Sequence, residues 1–328
     1  MTSGGTIGVV IIGRNESERL RRCLESARPM VHSTVYVDSG SSDGSVALAE
    51  SMGVNVVQLD TNVPFTAARA RNAGFKQLQQ VLPQLRCVQF IDGDCELIEG
   101  WSEVAADFLD QRPDVAVVCG RLRERFPERS VYNRLCDIEW DRPAGETDAC
   151  GGIFMTRPAL FASQRGFRED LLAGEEPELC QRLRAQGWKV WRLAQPMAWH
   201  DAAMLRFGQW WKRSRRTGFG YAQGVYLHGS LVERRRAAQL IRPWFWAFLL
   251  PVAILGACLG WGPAGSLLLL AYPLKVLRTA RSIRADARMR LMRGYFLTLG
   301  QFPELIGQLQ FWMGRRGKRG AGSFDYKS

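Results

Sequence analysis

Residues 90–97, FIDGDCEL, set two carboxylates one residue apart at the end of an apolar run. Gly93 lets the backbone turn sharply, so Asp92 and Asp94 can face one cation. Such a pair suits a phosphate-bearing ligand. A diphosphate brings about two to three negative charges and would be repelled by two more carboxylates without a divalent ion, Mg2+ or Mn2+, between them. A simple turn after a strand uses the same residues, and the stretch alone leaves both readings open. A second constellation is VYVDSGSSDGS at 35–45. Asp38 ends a strand there, and the backbone of Ser39–Ser42 is small enough for a ribose or base to approach; a turn capped by Asp43 is the structural alternative. The third is LLAGEEPELCQRLRAQGW at 171–188. Glu175 and Glu176 precede Pro177, where acids stabilise a helix N-terminus. A partly desolvated carboxylate beside another acid also has the raised pKa of a general base. His200, one of three histidines, is either a metal ligand or structural. In QWWKRSRRTG at 209–218, arginines among tryptophans can hold a phosphate or stack on a sugar, or anchor the chain at lipid head groups.

These residues need elements to hold them. The β-branched run Thr6–Ile12, the apolar stretches Thr34–Val37, Val54–Leu59 and Arg86–Ile91, and Val115–Cys119 predict strands. Between them, helices are predicted from Asn15 to Ala27, from the Asp43 cap to Met52, and over Thr66–Leu82. Strand and helix alternating at this spacing predict a mostly parallel sheet flanked by helices. Ligands bind such sheets at the carboxyl ends of the strands, which is where Asp38 and Asp92 stand. Further on, a helix at Pro177–Gln186 and a strand at Lys189–Leu193 are predicted.

The net charge of +12 is divided unevenly. Residues 1–205 hold 23 Lys/Arg and 28 Asp/Glu, a balance of −5; residues 206–328 hold 21 and 4, a balance of +17. No charged residue occurs from Pro243 to Leu274, a run longer than the ~20 residues that span a bilayer. Gly260 to Gly265 interrupts it. The expectation is a transmembrane hairpin over 243–278, made of two short spans at 243–259 and 264–278. It is flanked by Arg234, Arg235, Arg236 and Arg242 on one side and by Lys275, Arg278, Arg281 and Arg284 on the other. Both flanks are cytoplasmic by the positive-inside rule. The basic half is therefore assigned to inner-membrane lipids and not to nucleic acid. The eight cysteines form no CxxC pair, which fits a reducing compartment and gives no zinc site. Met1–Gly5 is too short and polar for a signal peptide, so the first domain is expected to stay in the cytoplasm. The expected domains are a catalytic part at 1–225, a basic linker at 226–242, the hairpin, an interfacial helical region at 279–313 and a basic tail at 314–328.

Taken in order, IGVVIIGRNESERLRRCLESA, VYVDSGSSDGS, AARARNAGF, FIDGDCEL, the Gly151-Gly152 pair, Gly166-Phe167 and GEEPELCQRLRAQGW resemble the family 2 glycosyltransferases, inverting enzymes of the Rossmann-like GT-A fold. The resemblance covers about residues 6–225. It implies a nucleotide-sugar donor and a carbohydrate or polyprenyl-linked acceptor, in polysaccharide or glycolipid synthesis; a polyprenyl-phosphate glycosyltransferase and a non-catalytic nucleotide-sugar-binding partner are the alternatives. By resemblance, Ile12, Arg14, Glu16 and Asp38 line the nucleotide pocket and Arg71 lies near the phosphates. Asp94 binds the metal, Asp92 touches ribose or metal, and Glu176 is the base with Glu175 in support. Ser39 stands where the family often has an acid that reads uracil, which leaves the donor nucleotide open. QWWKR is similar to the QxxRW element of processive members but lacks its Arg-Trp ending.

Overall fold

The computed structural model describes residues 5–228, 234–282 and 286–316. The chain divides into two compact units at Leu205/Arg206.

The first unit follows the alternation read from the sequence. In order it contains β1 (Thr6–Gly13), α1 (Glu18–Ser26), β2 (Thr34–Asp38), α2 (Ser45–Ser51), β3 (Asn55–Gln58), α3 (Ala67–Val81), β4 (Leu85–Asp92), β5 (Cys95–Leu97), α4 (Trp101–Gln111), β6 (Val115–Glu124), α5 (Val131–Trp140), β7 (Gly145–Glu146), β8 (Phe154–Thr156), α6 (Pro158–Ser163), α7 (Glu175–Ala185) and β9 (Lys189–His200). The strands form one sheet in the order β3-β2-β1-β4-β8-β6-β9-β5, with β7 beside β9. β3, β2, β1 and β4 run parallel. β8 is antiparallel to both β4 and β6, and β6 is parallel to β9. Val9–Ile12, Val35–Val37 and Cys87–Ile91 are buried throughout, as strands covered by helices on both faces must be. Gly74 lets α3 lie directly on β1, because a Cβ there would fall on the Val10 side chain.

Phe75, Phe90, Phe154, Phe161 and Phe167 pack with ring centroids 4.7–6.1 Å apart. They lock α3, β4, β8, α6 and the loop after it into one body. Burying aromatic rings stabilises by several kcal/mol, at roughly 25 cal/mol per Å². The body fixes the backbone that carries Arg71 and Asp92.

Two elements differ from expectation. The helix expected from Pro177 begins at Glu175, with Gly174 in the left-handed region at φ 83°. The strand expected at Lys189–Leu193 continues to His200 through register shifts against β6. β5, β7 and β8 are too short to carry a period, and α4, α5 and α6 were also not expected, although α4 has a buried stripe of Trp101, Ala105 and Leu109.

The second unit is helical: α8 (Phe207–His228), α9 (Arg234–Trp244), α10 (Leu250–Trp261), α11 (Ala271–Arg281), α12 (Ala287–Leu299) and α13 (Gln301–Arg316). A π-helical turn (Phe245–Leu249) joins α9 to α10, and a 3-10 stretch (Gly262–Leu270) joins α10 to α11. The catalytic part expected at 1–225 thus ends inside α8, which belongs to this unit. Part of the expected linker, 229–233, and the tail from 317 lie outside the described residues, as does Arg284. The expected interfacial region is two helices, α12 and α13.

Residues 238–281 form a helical segment long and apolar enough to cross a membrane, with mean hydropathy 1.8 and none of its most apolar window buried. It folds back at Gly262, whose φ of 62° and ψ of −148° no helix interior adopts. Gly265 then sits against the Ala257 and Cys258 backbone, and Tyr272 Oη donates to the Trp246 carbonyl at 2.7 Å. Leu255, Leu259, Trp261, Leu267 and Leu274 are more than 60% exposed.

Candidate active site

The carboxyl ends of β1, β2 and β4 converge. Gly13 is in register with Asp38 and Ile12 with Asp92. The Gly93 amide donates to the Ile12 carbonyl at 2.8 Å, and the Ser39 amide to the Gly13 carbonyl at 3.1 Å.

Asp38 is buried and accepts from Tyr36 Oη at 2.9 Å and from the amides of Gly40 and Ser41 at 2.9 and 2.8 Å. Its carboxylate thus shapes the loop that follows. Gly40, at φ 85°, makes the turn. Asn15 ties this loop to the one after β1: its amide donates to Ser41 Oγ, and its Oδ1 accepts from the Ser42 amide. Asp43, one residue before the Gly44 N-cap of α2, accepts from the Ser45 amide at 3.1 Å and from Ser17 Oγ at 2.6 Å. The turn expected at 35–45 is present, with Gly44 in the N-cap position of α2 where Asp43 was expected. Ser39 Oγ is buried without a hydrogen-bond partner. Ile12 and Glu16 are also buried there, and Glu16 pairs with Arg19 at 2.5 Å.

Arg71, on the first turns of α3, is 2% exposed. Its Nη2 donates to Asp92 Oδ1 at 2.6 Å and its Nη1 to Glu175 Oε1 at 2.5 Å. Its guanidinium carbon lies 5.7 Å from the centre of the Phe167 ring. One side chain therefore joins the first acid of FIDGDCEL to the first of GEEPEL. Asn72 fixes the neighbouring loop, accepting from the Phe167 amide and donating to the Phe167 carbonyl, both at 2.9 Å. Gly152 lies over this junction; a Cβ there would come within 2.6 Å of Arg71 Nη2 and 2.9 Å of Asp92 Oδ2.

Glu176 is 1% exposed. Its oxygens accept from the amides of Cys150 and Gly151 at 2.7 and 2.9 Å and from Cys180 Sγ at 2.9 Å. Burial pushes its pKa above the usual carboxylate value, the Cys180 thiol and the two amides pull it back, and Glu175 pushes it up again. Three donors converging on two oxygens favour the anion, so the pKa rise is the net result of burial outweighing them.

β5 pairs antiparallel with β9, placing Cys95 opposite His200. His200 Nε2 thereby comes to 3.4 Å from Asp94 Oδ1, and the Asp201 amide donates to the Asp94 carbonyl at 2.9 Å. The imidazole stacks on Trp140 at 4.4 Å and 11°. Burial pulls its pKa down, but Asp94, by charge and hydrogen bond, with Asp92 and Glu124, raises it overall above its ordinary value. Ligand atoms of Asp94, Cys95 and His200 lie within 4.8 Å of one another. A carboxylate with an imidazole suits Mn2+ better than Mg2+, which prefers oxygen alone, and a thiol is too soft for either. Cys95 Sγ donates to Asp94 Oδ1 at 3.5 Å. The donor set therefore fits a divalent ion held by Asp94 and His200, with Asp92 beside it.

The sequence-derived site residues gather in the first unit; Gln209–Arg213 lie on α8, in the second. Sequence reasoning missed the Trp140 platform and the Cys150–Gly151 amides. The Gly151-Gly152 pair was the available signal for those amides.

Residues 8–168 match the family model described as Glycosyl transferase family 2. Among curated proteins, a TPR repeat-containing protein of Synechococcus elongatus is 32% identical over 139 residues, 42% of this chain and 32% of that protein. An uncharacterized glycosyltransferase of Rickettsia felis is 39% identical over 51 residues, 16% of this chain and 18% of that protein. The chain thus spans about a third or less of the curated relatives it matches. A mannosyltransferase from Pyrobaculum calidifontis, solved with GDP-Man and Mn2+, superimposes with TM-score 0.56 at 15% identity, over 95% of this chain and 88% of that one. GalNAc-T7, solved with UDP, GalNAc and Mn2+, gives 0.55 at 15% identity, over 76% and 52%. At that identity the likeness shows a shared fold, the GT-A arrangement of a mostly parallel sheet flanked by helices. Residues 8–168 are thus similar to glycosyl transferase family 2.

Proposed function

We propose that the chain transfers a sugar from a nucleotide-diphosphate donor to a carbohydrate or lipid-linked acceptor, with inversion at the anomeric carbon. The observation that carries this reading is Arg71, which joins Asp92 to Glu175, with the Asp94–His200 pair next along the chain from Asp92. The nucleoside lies along Ile12, Arg14, Glu16, Asp38 and Ser39, against the loops that Asp38 and Asn15 shape. Mg2+ or Mn2+ bound at Asp94 and His200 would supply positive charge for a leaving diphosphate. Arg71 adds a fixed cation beside Asp92 on the same side of the cleft.

Glu176 takes the proton of the attacking hydroxyl. Its oxygens are held by the Cys150 and Gly151 amides, so this role requires that segment to move aside as the acceptor enters. Gly151, at φ 91°, gives the segment a hinge. Glu175 stays paired with Arg71 and positions the helix that carries the base. The exposed apolar hairpin lies in the bacterial inner membrane, with the first unit on the cytoplasmic side, where a polyprenyl-linked acceptor is within reach.

The test is sugar transfer by purified protein with UDP-, GDP- and dTDP-sugars and Mn2+, comparing wild type, Glu176→Gln and Glu175→Gln. Loss of turnover in Glu176→Gln with donor binding kept is the expected result. Equal turnover in wild type and Glu176→Gln would end the base assignment. Donor binding without turnover in the wild type, across acceptors, would point to a non-catalytic binding partner.

A further inference from the structure

Lys275 is the first charged residue after the 32 uncharged positions from Pro243 to Leu274. A lysine at the edge of an apolar segment ordinarily stretches its ammonium into water or among head groups. This one does not. Its Nζ is buried and has no hydrogen-bond partner, and it lies 4.4 Å from the centre of the Trp246 ring on the opposite arm. The charged groups that act on it are Glu304 and Arg242. Neither satisfies it: Glu304 makes no ion pair with it, and Arg242 repels it.

The surroundings supply a second idle donor. Trp244, two residues from Trp246, donates its Nε1 to Gln308 Oε1 at 2.9 Å. Gln308 is fully buried, and its Nε2 has no acceptor. The fold-back registered by Tyr272 on Trp246 brings Arg242 and Lys275, from opposite arms, to the same end of the hairpin. A buried ammonium and a buried amide without acceptors are each costly. An anionic oxygen cluster reached by both donors would remove both penalties.

We propose that Lys275, Gln308 Nε2 and Arg242 form a binding site for the phosphate of a membrane lipid head group at the base of the hairpin. This rests on the reading that the second unit lies in a bilayer. The arm from Arg242 to Trp261 is about 28 Å long at helical rise, close to the ~30 Å hydrocarbon core. The site therefore falls at head-group depth when the apolar tip is immersed. Trp246 covers the ammonium from the apolar side, as interfacial aromatics do.

The experiment floats the full chain with vesicles of phosphatidylcholine alone or mixed with phosphatidylglycerol. It is done at low salt and at about 0.5 M salt, where the Debye length is ~4 Å and exposed cations are screened. At high salt the wild type should keep an about ten-fold preference for the anionic vesicles, the worth of one enclosed charge-assisted contact. Lys275→Met should lose it, Lys275→Arg should restore most of it, and Arg281→Gln, which removes an exposed cation, should leave it intact. Unchanged donor-sugar binding by each variant shows that the fold survives. A high-salt preference in Lys275→Met equal to wild type overturns the site, and so does abolition of the preference by inorganic phosphate, which would assign the pocket to the free ion. Failure of the wild type to float with either vesicle would instead overturn the membrane reading.

Discussion

Replacing Arg71 by Met tests whether the Asp92–Arg71–Glu175 bridge organises the cleft. Methionine keeps the apolar stem over Phe167 and suits a helix, but it removes both contacts of the guanidinium. Those are short charge-assisted hydrogen bonds, each worth about 1.5–3 kcal/mol. Their loss also leaves two carboxylates roughly 5 Å apart, a repulsion of about 3 kcal/mol at an effective dielectric of 20. Asp92 is 33% exposed at its side chain and Glu175 12%, so water screens part of both terms. The net expectation is a loss of about 3 kcal/mol, near the low end for breaking a buried pair. For a unit of this size that lowers the melting temperature by about 6–12 °C, measured by scanning fluorimetry of the full chain. Sugar transfer should fall at least 100-fold, since Asp92 and the helix carrying Glu176 both lose their support. Adding Glu175→Gln to Arg71→Met should recover about 1–2 kcal/mol by removing the repulsion. Arg71→Lys should recover less than half of the stability, because one ammonium cannot serve both acids. The reasoning is refuted if Arg71→Met melts within 1 °C of wild type, or if the double variant is no more stable than the single one.

Three further outcomes follow from the same geometry. Gly152→Ala should cut turnover about ten-fold or more while shifting melting little, because the added methyl meets the tips of Arg71 and Asp92 and not backbone; turnover and melting measured together separate the effects. The raised pKa of Glu176 predicts an acid limb of the rate–pH profile above the ordinary ~4.3 of a glutamate. For stability the sign runs the other way: a raised folded-state pKa means that protonation favours the fold. Its contribution is therefore complete below ~4.3 and lost as pH rises through the folded-state value, so the stability of wild type relative to Glu176→Gln should decline over that window in denaturant titrations. In the second unit, Gly307→Ala should destabilise by about 1–3 kcal/mol, since a Cβ at 307 would fall on the Arg215 carbonyl of α8, whereas Gly314→Ala meets nothing within 4 Å and should stay within about 0.5 kcal/mol; unfolding in detergent compares the two.

The parallel half of the sheet was legible in the sequence because buried parallel strands read as mainly apolar, β-branched stretches, as Thr6–Ile12, Thr34–Val37 and Arg86–Ile91 do. The places of Asp38 and Asp92 at strand ends followed from the same stretches, whereas their roles came from the resemblance. The antiparallel half was harder to read. β8 is three residues and β5 three, too short for a period, and β9 runs on past Leu193 through Ala194, Gln195 and Pro196, which break its pattern. The approach of His200 to Asp94 depends wholly on the β5–β9 pairing, a contact across about a hundred residues. The partners of Glu176 and Glu175 were equally hidden. Both stand at a helix N-terminus, and only tertiary packing decides that one faces the Cys150–Gly151 amides and the other Arg71.

β4 is the seam of this sheet. The parallel strands β1, β2 and β3 lie on one side of it, and β8, β6, β9 and β5 lie on the other. On the proposed reading, groups that recognise the nucleotide come from the first side, and Gly152, Glu176 and His200 come from the second. Asp92 ends the seam strand and belongs to both. The two sides are interlocked through α3, whose Phe75, Asn72 and Arg71 reach Phe161, Phe167 and Glu175, so divergence on one side has to keep those contacts. On the proposed reading, a chimera joined just after β4 would move acceptor specificity without nucleotide specificity only if it kept Phe161, Phe167 and Glu175 matched to their partners on α3.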